Sequence, residues 1–530
     1  MTMRQVPWLE GPSLYQYVEK NINKEGIFAP TTLPDTHVIF PDPALTLELG
    51  APDAYFAMST QEDNKLMTAA VYQELKTFME NPSDEQRDIL YKIVCSARCI
   101  AYCESLIDML QSEELPPVLM NLAEDWLHHA SNREAVKFAI ILCGLCNVKI
   151  MSSILHQEIK KDLLLLALCD EFTFFVIFAL DISGASTQRD IWQIIYKTTG
   201  WGRVHALESA QFDTAVKKNW LLCHGSELNV DYPGISLLCI KEGHMLQALR
   251  RAHIERALYL GCLNTINNFL VFVLETAPGD EDEVLYTELR PAELIQEILR
   301  HAQEYAHTIT DMIGIINLAS ALKELAERSR WDAIEPNACH LLISQAEKTI
   351  FYKNWMPDIN AQLLQHDNTV NYRIADFAQA VHIDITTTLF RLLKQNPQDT
   401  QLYNYLLLDS KPRLFARVLS FAREHLHQYR LEEDDMQPII ASLYTHPGQG
   451  VDFIIAGLTS IYDRPRANAL GALEQWGLEY ITPSIKVALL KAQNMAQHNL
   501  QRMRIDALLH NRVLDMEESL SKLFSKELPR

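Results

Sequence analysis

The sequence lacks the short motifs that mark the common nucleotide-binding and hydrolytic enzymes. It contains no GxxxxGK[ST] or GxGxxG stretch, no GxSxG and no HExxH. Those patterns hold nucleotide phosphates, present a nucleophilic serine or bind zinc. Their absence gives no support to these enzyme classes.

Dense basic runs are also missing. Lysine and arginine cluster only as pairs, such as Lys160–Lys161 and Arg250–Arg251, and the formal net charge is -21. An acidic surface repels phosphate backbones and anionic lipid headgroups. We therefore expect neither a nucleic-acid partner nor a membrane partner.

Uninterrupted apolar runs are short. The first twenty residues contain no continuous apolar stretch of the signal-peptide type, and the most apolar segment, residues 163–180, is broken at its centre by Asp170 and Glu171. The 10 cysteines lie mostly inside apolar runs, which is typical of reduced core thiols. These features predict a cytoplasmic protein.

Strand signals are equally scarce. No sustained alternation of polar and apolar residues and no Asn-Gly hairpin is present, whereas apolar residues recur at helical spacing from about residue 62 onward. Short polar or proline-containing turns separate the helical stretches. The sequence therefore predicts an all-α protein in which successive helices are neighbours.

Composition divides the chain into four predicted segments. Seven of the 22 prolines lie between Pro7 and Pro52, so residues 1–60 are expected to form an extended arm that lies on the folded body. Residues 61–277 and 291–530 are predicted to form helical repeats, the second set ending in a helical cap. Residues 278–290, which contain four consecutive acids, are interpreted as an acidic linker or loop.

Three helical stretches share a pattern that suggests repeats. Each begins with a polar cap and an arginine (Arg133, Arg189 or Arg466), continues with small and large apolar residues at i, i+3 and i+4, and ends at glycine or a polar residue. Asp463 and Arg466 best match the Asp and Arg near the start of the second helix of HEAT repeats. Stacked helix pairs bury a continuous core, so an α-α superhelix of HEAT/armadillo type is the predicted architecture.

A family resemblance supports that architecture. The runs GWGRVHALE, EFTFFVIFAL and WLLCHG resemble an uncharacterised bacterial family of HEAT-like repeat proteins. The likeness covers roughly Ala130 to Ala277 well and residues 464–493 less well. Some members of that family are labelled limonene hydroxylases, but this chain shows neither a haem thiolate loop nor a dinucleotide fold. The resemblance therefore implies a fold and no activity.

The GWGR stretch supplies the candidate binding residues Trp201, Arg203, His205 and Glu208. Gly200 is expected to end the preceding helix, with Trp201 filling a groove between helices. An aromatic side chain beside an arginine suits a protein interface. His205 and Glu208 are three residues apart and can share a helix face, so they also suit acid–base chemistry in a pocket. The structural interpretation, a contact between repeats, is favoured over the catalytic one.

Cysteine spacing raises the question of a metal. Cys143 and Cys146 form a CxxC, and Cys95, Cys99 and Cys103 recur every four residues. Both sets lie in apolar helical runs, where free cysteine behaves as a small hydrophobe, and no second CxxC completes a zinc ligand set. We therefore expect no metal and no other cofactor.

Together these features predict a non-enzymatic scaffold or adaptor that binds a protein partner along the concave face of a helical solenoid. Two alternatives remain open: an enzyme of unknown reaction with a pocket near His205 and Glu208, and a nucleic-acid-binding HEAT-like protein. The sequence gives no indication of the oligomeric state.

Overall fold

The protein is all-helical, as the sequence predicts. The computed structural model describes residues 11–35, 47–58, 64–111, 113–150, 153–277, 280–365, 369–407, 412–426, 436–496, 499–510 and 512. Within these ranges the only extended pairings are two isolated bridges, Ile22 with Phe28 and Leu364 with Val370.

The chain forms two compact units, an N-terminal unit (Met1–Asn354) and a C-terminal unit (Trp355–Arg530). The N-terminal unit contains a 3-10 helix at Cys99–Ala101 and the helices α1 (Leu14–Lys20), α2 (Ala51–Met58), α3 (Lys65–Glu80), α4 (Asp84–Val94), α5 (Cys103–Gln111), α6 (Pro117–His129), α7 (Arg133–Ile150), α8 (Ser153–Leu166), α9 (Asp170–Ile182), α10 (Gln188–Lys197), α11 (Trp201–Glu208), α12 (Ala215–His224), α13 (Ile235–Glu242), α14 (Met245–Leu249), α15 (Arg256–Glu275), α16 (Asp280–Leu289), α17 (Pro291–Tyr305), α18 (Ile309–Glu327) and α19 (Pro336–Ile350).

The C-terminal unit contains 3-10 helices at Leu443–Thr445 and Leu478–Tyr480 and the helices α20 (Met356–Gln362), α21 (Tyr372–Ala380), α22 (Thr386–Gln395), α23 (Thr400–Leu407), α24 (Pro412–Leu426), α25 (Gln437–Ser442), α26 (Val451–Leu458), α27 (Asp463–Trp476), α28 (Pro483–Met495) and α29 (Asn499–Leu509).

Side-chain caps fix where several helices begin. The hydroxyl of Ser83 accepts a hydrogen bond from the Gln86 N–H, as its position before α4 predicts. Thr308 and Asp311 form a reciprocal capping box at the start of α18. Such caps satisfy N–H groups that have no partner inside the helix.

Close helix contacts in the N-terminal unit depend on small residues. Helix α7 packs against α6 and α9, and α9 packs against α11. Gly144 lies where α7 meets α9, and a Cβ placed on it would come within 2.8 Å of the Ala179 Cα. Glycine is therefore required at this contact, because a larger residue would push the two backbones apart.

The described parts of the N-terminal arm include two helices, although irregular structure was expected there. Helix α1 packs against α6 and α8, and the N–H of Leu14 donates to the Ala130 carbonyl at 3.1 Å. Helix α2 packs against the 3-10 helix at Cys99–Ala101. Proline does not prevent these helices, because Pro52 lies in the first turn of α2, where the missing N–H would have no helical partner.

The predicted acidic linker is helical where it is described. Helix α16 spans Asp280–Leu289, and the chain divides into its two units after Asn354 rather than within residues 278–290. The described part of this segment is thus a helix, and its role as a linker between two sets of repeats stays a prediction.

Among the described residues, one helix, α15, is long and apolar enough to cross a membrane by length and composition. Of the most apolar 18 residues of this helix, 56% are buried within the protein. Buried core helices of soluble proteins can be equally long and apolar.

In the C-terminal unit, the residues that matched the HEAT pattern form one local network. Arg466 is 2% exposed, donates to the Ser460 carbonyl at 2.6 Å and forms an ion pair with Asp463. The start of α27 is thereby tied to the turn that precedes it. Trp476, at the other end of α27, donates its Nε1–H to the Leu443 carbonyl at 2.6 Å.

Candidate functional site

The GWGR stretch begins a helix rather than ending one. Helix α10 ends at Lys197, and Gly200 occupies the cap position before α11. The expectation that Gly200 closes the preceding helix is therefore wrong. The physical reason is Asp170, whose Oδ1 accepts a hydrogen bond from the Gly202 N–H at 3.1 Å and so fixes the start of α11.

The Asp170 carboxyl is enclosed by this helix start. A Cβ on Gly202 would lie 2.5 Å from the Asp170 Oδ1, so only glycine fits at that position. Burial raises the pKa of Asp170 to about 6, and the hydrogen bond from Gly202 together with the nearby His205 opposes that shift. The carboxyl acts here as a helix cap.

Trp201 is a core residue. It is 1% exposed, and its ring lies 5.4 Å from the rings of both Tyr55 and Tyr232. Tyr55 belongs to α2, so Trp201 helps to hold the N-terminal arm against α11. Packing in the core therefore accounts for the presence of Trp201, and its burial leaves little surface for a partner.

Arg203 reaches the surface only in part. Its Nη1 donates to the Glu227 carbonyl at 3.1 Å, and the guanidinium lies 6.0 Å from the centre of the Trp220 ring. Burial lowers the pKa of Arg203, while Glu227 and Asp170 act in the opposite direction. These contacts connect α11 to the end of α12.

His205 and Glu208 share one face of α11, as their spacing predicts. His205 is 7% exposed, with its Nδ1 3.5 Å from the Glu208 Oε2 and its ring 5.1 Å from Phe174. Glu208 is exposed. Of the four candidate residues, only Glu208 and part of Arg203 are accessible, and the binding role of the four stays a prediction.

A second arrangement, which the sequence reasoning missed, lies inside the N-terminal unit. We refer to it as the buried ion cluster; its members are Asp35, Asp53, Arg133, Glu134, Lys137 and Glu171. Lys137 is 1% exposed, and its Nζ lies 2.6 Å from Asp53, 2.7 Å from Glu171 and 3.1 Å from Glu134. One ammonium group thus joins α2, α7 and α9.

Arg133 completes the cluster. Its guanidinium lies 2.6 Å from Asp35 and 3.2 Å from Glu171. Backbone groups also take part, because the Cys99 N–H donates to Glu134 at 2.7 Å and the Gly50 N–H donates to Glu171 at 3.0 Å. The cluster therefore binds the described parts of the arm to the helices beneath them.

Carboxylates outnumber cations in this cluster by four to two, and their pKa shifts differ in direction. Burial raises the pKa of Asp53, whereas at Glu171 burial is outweighed by Lys137 and Arg133, which lower its pKa. Burial raises the pKa of Glu134 to about 7, against the attraction of Lys137. Burial opposes the charge on Lys137, yet the three carboxylates hold the pKa of Lys137 well above its ordinary value. Protonation of Glu134 near neutral pH relieves part of the negative excess. One sign of this cluster is visible in the sequence, because Glu134 and Lys137 are charged residues inside an otherwise apolar helical run.

The cysteines are hydrophobic core residues. All except Cys95 are buried, and burial raises the pKa of Cys143 and Cys99 well above the usual value. Within the described ranges, no group of three or more His, Cys, Asp or Glu side chains is placed to hold a metal ion.

An accessible groove of about 430 Å³ lies between α15 and α18. We call it the amide-lined groove, because four asparagines line it: Asn264, Asn267, Asn268 and Asn317. Asn264 and Asn317 are exposed, and Asn267 and Asn268 are half-buried. The remaining lining is mainly apolar, including Leu260, Leu263 and Val271.

Two of these amides are held in place by the protein. Asn264 donates to the carbonyl of Ser226, and Asn267 donates to the carbonyl of Gly314, each at 3.1 Å. The Asn267 Oδ1 is buried and accepts no hydrogen bond from any described residue.

Comparisons with protein-family models, with curated proteins and with solved structures give no match for this chain. The assignment of function therefore rests on the geometry of the molecule.

Proposed function

We propose that the protein is a non-enzymatic cytoplasmic scaffold that binds an extended segment of a partner protein in the amide-lined groove. The observation that carries this proposal is the set of four asparagines on the two facing helices α15 and α18.

Asparagine suits the recognition of a peptide main chain. Its amide offers an N–H donor and a carbonyl acceptor side by side, which matches the N–H and C=O of one peptide unit. Asn264 and Asn268 are four residues apart on α15, a rise of about 6 Å, and an extended chain repeats every two residues over about 6.6 Å. A strand lying along α15 therefore meets the side-chain carbonyl of Asn264, whose N–H groups already donate to Ser226, and about two residues later the amide of Asn268.

The charges at the groove favour recognition of the main chain over recognition of side-chain charge. Asp311 is the one charged residue in its lining, and it is 4% exposed and paired with Arg256. The accessible polar groups are thus uncharged, namely the asparagine amides and the exposed Thr310. Apolar side chains of the bound segment would contact Leu260 and Val271, which adds burial to the hydrogen bonds.

We further propose that the helices stack as a HEAT-like solenoid, in line with the resemblance to the bacterial HEAT-like family. Support comes from the order of contacts in the N-terminal unit, where α15 lies between α12 and α18, and α19 packs against both α17 and α18. Layers of this kind are how helical repeats bury their apolar faces. In such a stack the amide-lined groove would lie between two helices of one layer.

A random-peptide library displayed on phage tests the binding role. Wild-type protein is expected to enrich peptides that the double variant Asn268→Ala/Asn317→Ala captures at least tenfold more weakly, because two amide contacts are removed. The matched control is Asn337→Ala/Asn404→Ala, which changes two exposed helical asparagines away from the groove. Equal capture by the two double variants, with both folded, would argue against the groove.

The two alternatives predict other outcomes. Catalysis at His205 and Glu208 predicts turnover that is lost in His205→Gln while peptide capture is unchanged. A nucleic-acid-binding role predicts salt-sensitive retention of oligonucleotides by the wild-type protein.

A further inference from the structure

Another groove, of about 470 Å³, lies between α8 and α10 in the N-terminal unit. It extends to Gly26, in the loop that follows α1. We call it the lysine-rimmed groove, because it is lined by Lys160, Lys161 and Lys197. It shares no residue with the amide-lined groove.

The floor of this groove is apolar and accessible. Leu164, Leu165 and Leu168 line it and are only half-buried, while Ile194 is 1% exposed. Leucine side chains left partly open in this way bind an aliphatic chain favourably, because the contact removes apolar surface of both partners from water.

The rim is positive, although the chain has a net charge of -21. No acidic residue lines the groove. Lys160 is offset by Asp190 at 2.6 Å, whereas Lys197 donates to the backbone carbonyl of Glu25, which leaves its charge uncompensated. Lys161 is exposed. Two positive charges therefore flank the leucines.

We propose that the lysine-rimmed groove binds an amphipathic anion, a straight-chain aliphatic carboxylate whose chain covers the leucines and whose carboxylate pairs with Lys161, the exposed lysine of the rim. A small inorganic anion would leave the leucines uncovered. An uncharged alcohol of equal length would leave the lysines without a partner. The site is thus complementary to a molecule that has both an aliphatic chain and a negative charge.

Isothermal titration of the protein with decanoate tests the proposal. Decanol, which lacks the negative charge, and acetate, which lacks the long chain, are the control ligands. We expect decanoate to bind at least tenfold more tightly than either. Charge reversal in Lys161→Glu is expected to weaken decanoate binding roughly tenfold, because it replaces an attraction with a repulsion, and Lys161→Arg should retain binding because it keeps the positive charge. Leu165→Asn should weaken decanoate binding and leave the weak response to acetate unchanged.

The matched control is Lys491→Glu, which reverses the charge of an exposed lysine in the C-terminal unit and should not alter binding. Circular dichroism checks that each variant is folded, and Lys161→Gln takes the place of Lys161→Glu if the charge-reversed variant does not fold. Absence of decanoate binding, equal binding of decanol, or an unchanged affinity in Lys161→Glu would each overturn the proposal. An acetate affinity equal to that of decanoate would show an adventitious anion site only.

Discussion

Lys137 offers the sharpest test of what holds the N-terminal arm in place. The change Lys137→Met keeps a long flexible side chain and removes the ammonium group. Three carboxylates, those of Asp53, Glu134 and Glu171, lie within 3.1 Å of that group in the wild-type protein. The variant leaves them without their common cation.

The expected loss in the free energy of unfolding follows from the surroundings. Removing one partner of a buried ion pair costs roughly 3–5 kcal/mol. Glu171 retains Arg133 at 3.2 Å, and the pKa of Glu134 is already about 7, so Glu134 can take up a proton at little cost. We therefore expect a loss of about 3 kcal/mol, the lower end of that range, because burial also raises the pKa of Asp53 and so reduces the cost of protonating it. A domain is typically stable by about 5–15 kcal/mol.

Urea unfolding followed by circular dichroism measures this loss, with Lys323→Met as the matched control. Lys323 pairs with Glu347 at 2.8 Å, but the two side chains are 51% and 41% exposed. An exposed pair of this kind is worth about 1 kcal/mol or less. Limited proteolysis near α2 should also be faster in Lys137→Met, because α2 carries Asp53.

Acid should reduce the cost of Lys137→Met, because protons then neutralise the uncompensated carboxylates. At pH 5 the difference from wild type should be smaller than at pH 8. A loss below 1 kcal/mol at pH 8, equal to that of Lys323→Met, would refute the view that Lys137 stabilises the arm through charge.

Three further predictions concern other residues. Asp170 has a folded pKa of about 6 and an ordinary value of 3.8, so the folded state binds more protons between these values and loses stability as pH rises from 3.8 to 6. Asp170→Asn should therefore gain stability relative to wild type by about 2 kcal/mol across that window, measured by urea unfolding. Gly144→Ala should cost about 1–3 kcal/mol because its Cβ meets the Ala179 backbone, whereas Gly184→Ala, whose Cβ meets nothing within 4 Å, should cost about 1–2 kcal/mol through its φ of +63° alone. A thiol reagent should modify even Cys95, the least buried cysteine, only slowly in the native protein, because burial raises the pKa of its thiol to about 12, and all 10 cysteines should react after denaturation.

Helical periodicity and caps were readable from the sequence because they are local. The spacing of apolar residues gave the all-α class, and Ser83 gave a helix start. The Asp463–Arg466 pair is also local, because its two members are three residues apart. Features of this kind need only one turn of chain to form.

Long-range partners were not readable. Asp170 caps a helix that begins 31 residues later, and that pairing changed Gly200 from an expected helix end to a helix start. Lys137 meets Asp53 across 84 residues. Charged residues inside apolar runs were the local sign of burial, but they did not reveal which groups would neutralise them. The amide-lined groove was likewise not predictable, because its asparagines lie on α15 and α18, which become neighbours only in the folded chain.

The most direct test of the proposed function uses backbone N-methylation. A peptide selected on the wild-type protein is made in two analogues, each methylated at alternate amides, and their affinities are measured by calorimetry. Because the asparagines meet an extended strand at every second residue, one analogue should bind at least tenfold more weakly and the other should resemble the parent peptide. Equal affinities for the parent and both analogues would contradict main-chain recognition by the groove.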